Sequence, residues 1–364
     1  MRNIFKPSMK ITVVLIVLIS ILQIVLYANG AKSNDSPEAN GGIFFDGDSG
    51  ISLVEETINF SQFEESIYPY AKVTVNYELK NSLDTDQEFN ILFIVPPLDT
   101  YEDKQQYKVL LDHKDITTSA SYEGISRVEN WYPSFPHGLK EPYGQEVYDA
   151  YLPHNMRITT NQTYGIKIPL TIKASANTQL AIEYLCKGGY ARLDEYEKTI
   201  YSFVYFLTPA KFWDGEPKIK LNVSFPSDEN VAFYSNIPMK EVSPSNYSCD
   251  LNKLPEYEWM FTYVSRSGLI YGTNNSRVHT GITAAISLAI YLLALYAYEK
   301  VKKKYIINLG YIFSILYFFA FAGKLLDGNI GDAFIYLLLI IIFFIIVPIV
   351  YFASIILSKR NVSS

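Results

Sequence analysis

Three apolar stretches near the C-terminus constrain this chain more than any other feature: residues 280–298, 305–321 and 333–357. None contains Asp, Glu, Lys or Arg, and each is long enough, or nearly so, to cross a bilayer as a helix. A fourth apolar run, 11–27, follows Arg2, Lys6 and Lys10 and precedes Ala28-Asn29-Gly30. A basic start, an apolar core and small residues at its end read as a signal peptide over 1–30, or as an uncleaved anchor of the same orientation.

Charge orients the C-terminal spans. Four lysines (Lys300, Lys302, Lys303, Lys304) join the first two, and Lys359-Arg360 follow the last. The connector between the second and third, residues 326–332, carries only the acids Asp327 and Asp332, while Lys324 lies near the outer end of the second span, where a lysine can snorkel to the interface. By the positive-inside rule the Lys cluster and the 358–364 tail are cytoplasmic. Three crossings then place residues 31–276 outside the cytoplasm, as the signal peptide does independently. That region holds 34 Asp and Glu against 20 Lys and Arg, a net charge of −14. Such an acidic surface repels nucleic acid.

Between the apolar ends, period-two alternation recurs. Val73, Val75, Tyr77 and Leu79 share a face, as do Phe89, Ile91, Phe93 and Val95, then Tyr107, Val109 and Leu111. The pattern resumes at Ile166–Ile172, Leu180–Cys186, Tyr201–Leu207, Ile219–Phe225 and Trp259–Tyr263. Strands with one buried face predict a mostly β ectodomain of antiparallel sandwich type. About 245 residues suit two domains. We therefore expect a flexible tether over 31–50, a β-sandwich over 51–125, a junction loop over 126–157, a second sandwich over 158–276, and three transmembrane helices within 277–357; one continuous larger sandwich is the rival.

The junction is rich in rings and prolines. Trp131, Tyr132, Phe135 and Tyr143 suit a flat platform for sugars or extended peptides, or else cover a seam between domains. Glu146, Asp149 and His154 are weak candidates for acid–base chemistry. No His-Glu-x-x-His or Gly-x-Ser-x-Gly pattern occurs, and no metal site or cofactor is expected. Asp194-Glu195-Tyr196-Glu197 lacks the alternating oxygen ligands of a dedicated Ca²⁺ loop. Cys186 and Cys249 are the two cysteines. They form either a disulfide, which an outside location permits, or two separate buried thiols.

The composition, rich in Lys, Ile, Asn and Tyr, suggests a low-GC bacterium. The function expected is a non-enzymatic, membrane-anchored binding or assembly module of the cell envelope. Its partners would be the lipid bilayer, a membrane or envelope protein and an envelope polymer, with no nucleic acid. The alternative is an envelope hydrolase acting on glycan or peptide through carboxylates of the junction loop.

Overall fold

The structure, a computed structural model, describes residues 33–35, 40–46, 50–62, 69–95, 107–125, 133–135, 139–144, 146–148, 163–192, 196–226, 230–267, 269 and 271–301. The expected N-terminal segment 1–30, the spans 305–321 and 333–357, and the tail 358–364 lie outside these residues.

Chain order gives β1 (Ser33–Asp35), β2 (Gly41–Asp46), β3 (Ile51–Gln62), β4 (Tyr70–Asn81), β5 (Gln87–Ile94), β6 (Tyr107–Leu111), β7 (Lys114–Asp115) and β8 (Ser121–Ile125). Next come β9 (Leu139–Lys140), β10 (Glu146–Tyr148), β11 (Thr163–Ile172), β12 (Asn177–Lys187), β13 (Gly189–Arg192) and β14 (Ile200–Tyr205). The last strands are β15 (Lys218–Ser224), β16 (Val231–Ser235), β17 (Lys240–Ser243), β18 (Asn246–Leu251) and β19 (Trp259–Ser265), followed by helix α1 (Ser276–Val301). The described residues divide into two compact units: one holds the strands, and the other holds residues 196–197 and the segment from Thr273 through α1.

In the strand unit, eight strands form one sheet in the order β17-β18-β15-β3-β4-β12-β6-β7. A four-stranded sheet, β2-β5-β11-β8, and a five-stranded one, β1-β13-β14-β19-β16, complete the body with a small β9–β10 pair. Alternation builds the large sheet: Ala71, Val73, Val75, Tyr77 and Leu79 of β4 are buried on one face. Both smaller sheets pack against that face. Phe60 of β3 meets Phe203, Trp259 and Phe261 of the five-stranded sheet at ring distances of 5.7, 5.3 and 5.2 Å. Phe93 of the four-stranded sheet meets Tyr77 and Tyr184 at 6.5 and 5.4 Å. Such edge-on ring pairs each add about 0.5–1.5 kcal/mol beyond their buried area.

The expected division into successive sandwiches is corrected. The eight-stranded sheet alternates strands from both sides of 126–157, with β15 beside β3 in parallel and β12 beside β4. β5 likewise pairs with β11. A period of two says which face of a strand is buried, not which strand lies beside it. The result is one continuous body, nearer the rival expectation.

One further expectation changes. Part of the 31–50 tether is built into the body: β1 pairs with β13 and β2 with β5, while Asn40, Ile43 and Phe44 are buried. Of the two alternatives for the cysteines, separate thiols are observed and no disulfide joins Cys186 to Cys249. Cys186 sits on β12 and Cys249 on β18, with β4, β3 and β15 between them. Neighbouring strands are about 4.8 Å apart, so the gap far exceeds the ~7 Å Cα limit for a bridge.

Candidate functional site

A single irregularity in β3 organises both candidate regions. Ile51 and Leu53 point inward, and so do Glu56, Ile58 and Phe60, so the buried phase slips by one residue. The slip is a β-bulge: Leu53 pairs with Leu79, yet Glu55 pairs with Glu78, which leaves Val54 as the extra residue. Bulges re-aim the side chains that follow them. Here Glu55 is sent to the outer face and Glu56 into the core.

Outside, a pocket of about 160 Å³ is lined by Glu55, Thr57, Asn76, Glu78, His113 and Gln179, among others. Glu55 and Glu78 face each other across the strands, and like charges so placed repel. Lys218 stands opposite Glu55 on its other side. Thr57 Oγ1 donates to Glu55 Oε1 at 3.3 Å and Asn177 Nδ2 to Glu78 Oε1 at 3.0 Å. One rim is the Asp112-His113 turn, fastened to β12 by two hydrogen bonds. Asp112 N–H donates to the Gln179 carbonyl at 2.8 Å, and Gln179 N–H to Asp112 Oδ1 at 2.8 Å. Toward β18 the same face carries an amide ladder. Asn222 Nδ2 donates to Asn59 Oδ1 at 2.9 Å and Ser248 Oγ to Asn222 Oδ1 at 2.8 Å. This surface offers acceptors, amides and hydroxyls suited to a polar ligand.

Inside, Tyr205 OH donates to Glu56 Oε1 at 2.9 Å, and the Tyr77 and Tyr205 hydroxyls are 3.0 Å apart. Burial pushes the Glu56 carboxyl up to about 7, against the partial opposition of these phenols. Burial also holds Tyr77, Tyr184 and Tyr205 well above the ordinary phenol range. Beside them Tyr184 OH donates to Asn40 Oδ1 at 2.8 Å, and Asn40 Nδ2 donates to Cys186 Sγ at 3.0 Å. A second buried acid, Glu258, accepts from the Leu207 and Thr208 N–H groups at 2.7 and 3.0 Å and from the Thr208 hydroxyl. Burial raises it to about 7 as well, despite these three donors. Among the described residues no group of three His, Cys, Asp or Glu is arranged to hold a metal ion.

Of the residues singled out in the junction, Trp131, Tyr132, Asp149 and His154 lie outside the described residues, as does the Glu146 side chain. Phe135 lies 6.4 Å from the buried Phe206 ring. Tyr143 is half-buried, and burial raises its phenol while Arg266 opposes the rise. The adjoining backbone covers the second face of the five-stranded sheet: Thr262 Oγ1 donates to the Lys140 carbonyl at 2.7 Å, and Glu258 N–H to the Ser134 carbonyl at 2.8 Å. Neither Glu55 nor Glu56 was expected from the sequence. The available signal was the phase slip between Leu53 and Ile58.

No family model matches the chain. No curated protein matches it either. Among solved structures it is similar to a Legionella pneumophila protein provisionally described as nutrient binding, with 13% identity and a TM-score of 0.44, over 76% of this chain and 84% of that one. It is also similar to yeast leukotriene A4 hydrolase in complex with bestatin, with 12% identity and a TM-score of 0.29, over 58% of this chain and 28% of that one. A third is the M1 zinc metallopeptidase of Deinococcus radiodurans, with 8% identity and a TM-score of 0.26, over 59% and 43%. The chain spans less than half of each of the last two. At these scores the likenesses assign no activity.

Proposed function

We propose that this protein is a membrane-anchored, extracytoplasmic binding or assembly module, with the polar outer face of its eight-stranded sheet as the contact surface. The observation that carries the reading is the lateral pattern of α1. Its segment Ser276–Ala294 is long and apolar enough to cross a membrane. Ser276, His279, Thr283 and Ser287 recur at three- and four-residue intervals and are buried, whereas Val278, Leu292, Leu293 and Tyr296 are exposed. A helix in water turns its apolar face inward. One in lipid can expose it, and it uses small hydroxyl residues where it packs. Ser287 satisfies its hydroxyl within the helix, donating to the Thr283 carbonyl at 2.9 Å.

The lysines at 300 and 302–304 follow this helix directly, which supports a cytoplasmic C-terminal end and an outer β-body. Partners of this reading are an envelope protein or polymer carrying groups complementary to the acidic, amide-rich face. The test is extraction of the full chain from native membranes. Release only by detergent, with retention through high salt and alkaline carbonate, is expected. Release by carbonate alone would overturn the anchor.

A further inference from the structure

Three oxygen-bearing groups meet in the core where β3 and β4 of the eight-stranded sheet face β14 of the five-stranded one. Tyr205 OH donates to Glu56, the Tyr77 and Tyr205 hydroxyls lie 3.0 Å apart, and the Tyr77 hydroxyl is within reach of the Glu56 carboxyl. Three contacts need three hydrogens. The two phenols supply two, and the third is present only when the carboxyl is protonated. With that proton each group donates once and accepts once, so the triangle closes. Without it both phenols turn toward the carboxylate, and their mutual 3.0 Å contact holds no hydrogen.

No cation faces Glu56, and the two phenol hydrogen bonds only partly offset a negative charge on it. Glu56 is 1% exposed. Across the strands its neighbours are Ile219 of β15 and Tyr77 of β4. The titratable groups that bear on it are Tyr77, Tyr205, Tyr184 of β12 and the more distant Glu258, with Cys186 beside Tyr184. All are neutral or acidic. A buried carboxylate without a cation is costly.

We propose that Glu56 is a proton switch: protonated, it closes the triangle that ties the two layers of the body, and loss of its proton to solvent opens that tie and loosens the layers. The inference is independent of membrane anchoring. Its direction follows from linkage. The carboxyl stands at about 7 in the fold against an ordinary value of 4.5. Stability is therefore fullest below 4.5, falls as the unfolded chain ionises first, and levels off above about 7. The folded-to-unfolded ratio should drop by about 300-fold across that window on account of this group.

The test uses the full chain in detergent micelles, with unfolding of the β-body followed between about pH 5 and pH 8.5. Wild-type protein should lose stability as pH rises. Glu56→Gln supplies the third hydrogen at every pH, so its stability at the alkaline end should rise toward the acid-end value. Glu258→Gln should leave that part of the slope in place. A flat wild-type profile, or a slope that survives Glu56→Gln and vanishes in Glu258→Gln, would overturn the proposal. Should Glu56→Gln not fold, the infrared carbonyl stretch of the wild-type protein decides. A protonated-carboxyl band present at acid pH, lost at alkaline pH and shifted by Tyr205→Phe is expected. Absence of such a band at acid pH contradicts the switch.

Discussion

Gly41 shows how far one residue can depend on contacts remote in sequence. Its φ is +84°, and a Cβ placed there would stand 2.3 Å from Cε2 of Tyr205, the ring that reaches Glu56. Gly41→Ala would strain the backbone and push that ring aside, so we expect a loss of about 2–4 kcal/mol in a thermal or denaturant unfolding measurement. Unchanged stability would contradict the packing. The adjoining Asn40 bonds to groups 144 and 146 residues away, Tyr184 and Cys186. In sequence this stretch reads as a tether because Ser, Asn, Pro and Gly favour loops locally. Local preference carries no information about Tyr205 or Cys186. Glu56 was hidden for the same reason, since a Glu in a strand ordinarily faces solvent and only the bulge turns it inward.

Individual strands were far more legible. The alternations at 73–79, 89–95, 107–111, 166–172, 180–186, 201–207, 219–225 and 259–263 all fall on observed strands, allowing a residue or two at the ends. Each is written in the side chains themselves, because one face meets the core. Between β6 and β7 the chain reverses through a two-residue connection. Asp112 and His113 adopt φ of 47° and 65° there. Positive φ at both positions suits the twist of a hairpin but strains residues other than Gly or Asn. Asp112 contributes through its bonds to Gln179, whereas His113 only bears the strain. His113→Gly should therefore stabilise the protein by about 0.5–1 kcal/mol in denaturant unfolding. A loss of stability would show that the imidazole makes a contribution the turn geometry does not reveal.

At the scale of the whole molecule, the sequence was informative about surfaces and silent about partners. Two sandwiches in succession and one body of interleaved strands bury the same faces of the same strands. They differ only in pairings such as β3 with β15 and β4 with β12, which alternation does not encode. The apolar C-terminal part reads the other way. Apolar length and the position of the lysines were plain in the sequence, and the buried polar stripe of α1 adds that its exposed side is the one lipid would accept. Together they support an acidic β-body held at the outer face of a membrane. The most direct measurement is labelling of intact cells with a membrane-impermeant maleimide. The probe position is Val242→Cys, on the exposed strand β17 and 66% exposed, with Cys249→Ser removing the half-buried thiol. Labelling of residue 242 before lysis is the predicted result; labelling only after lysis would place the β-body in the cytoplasm and contradict the account.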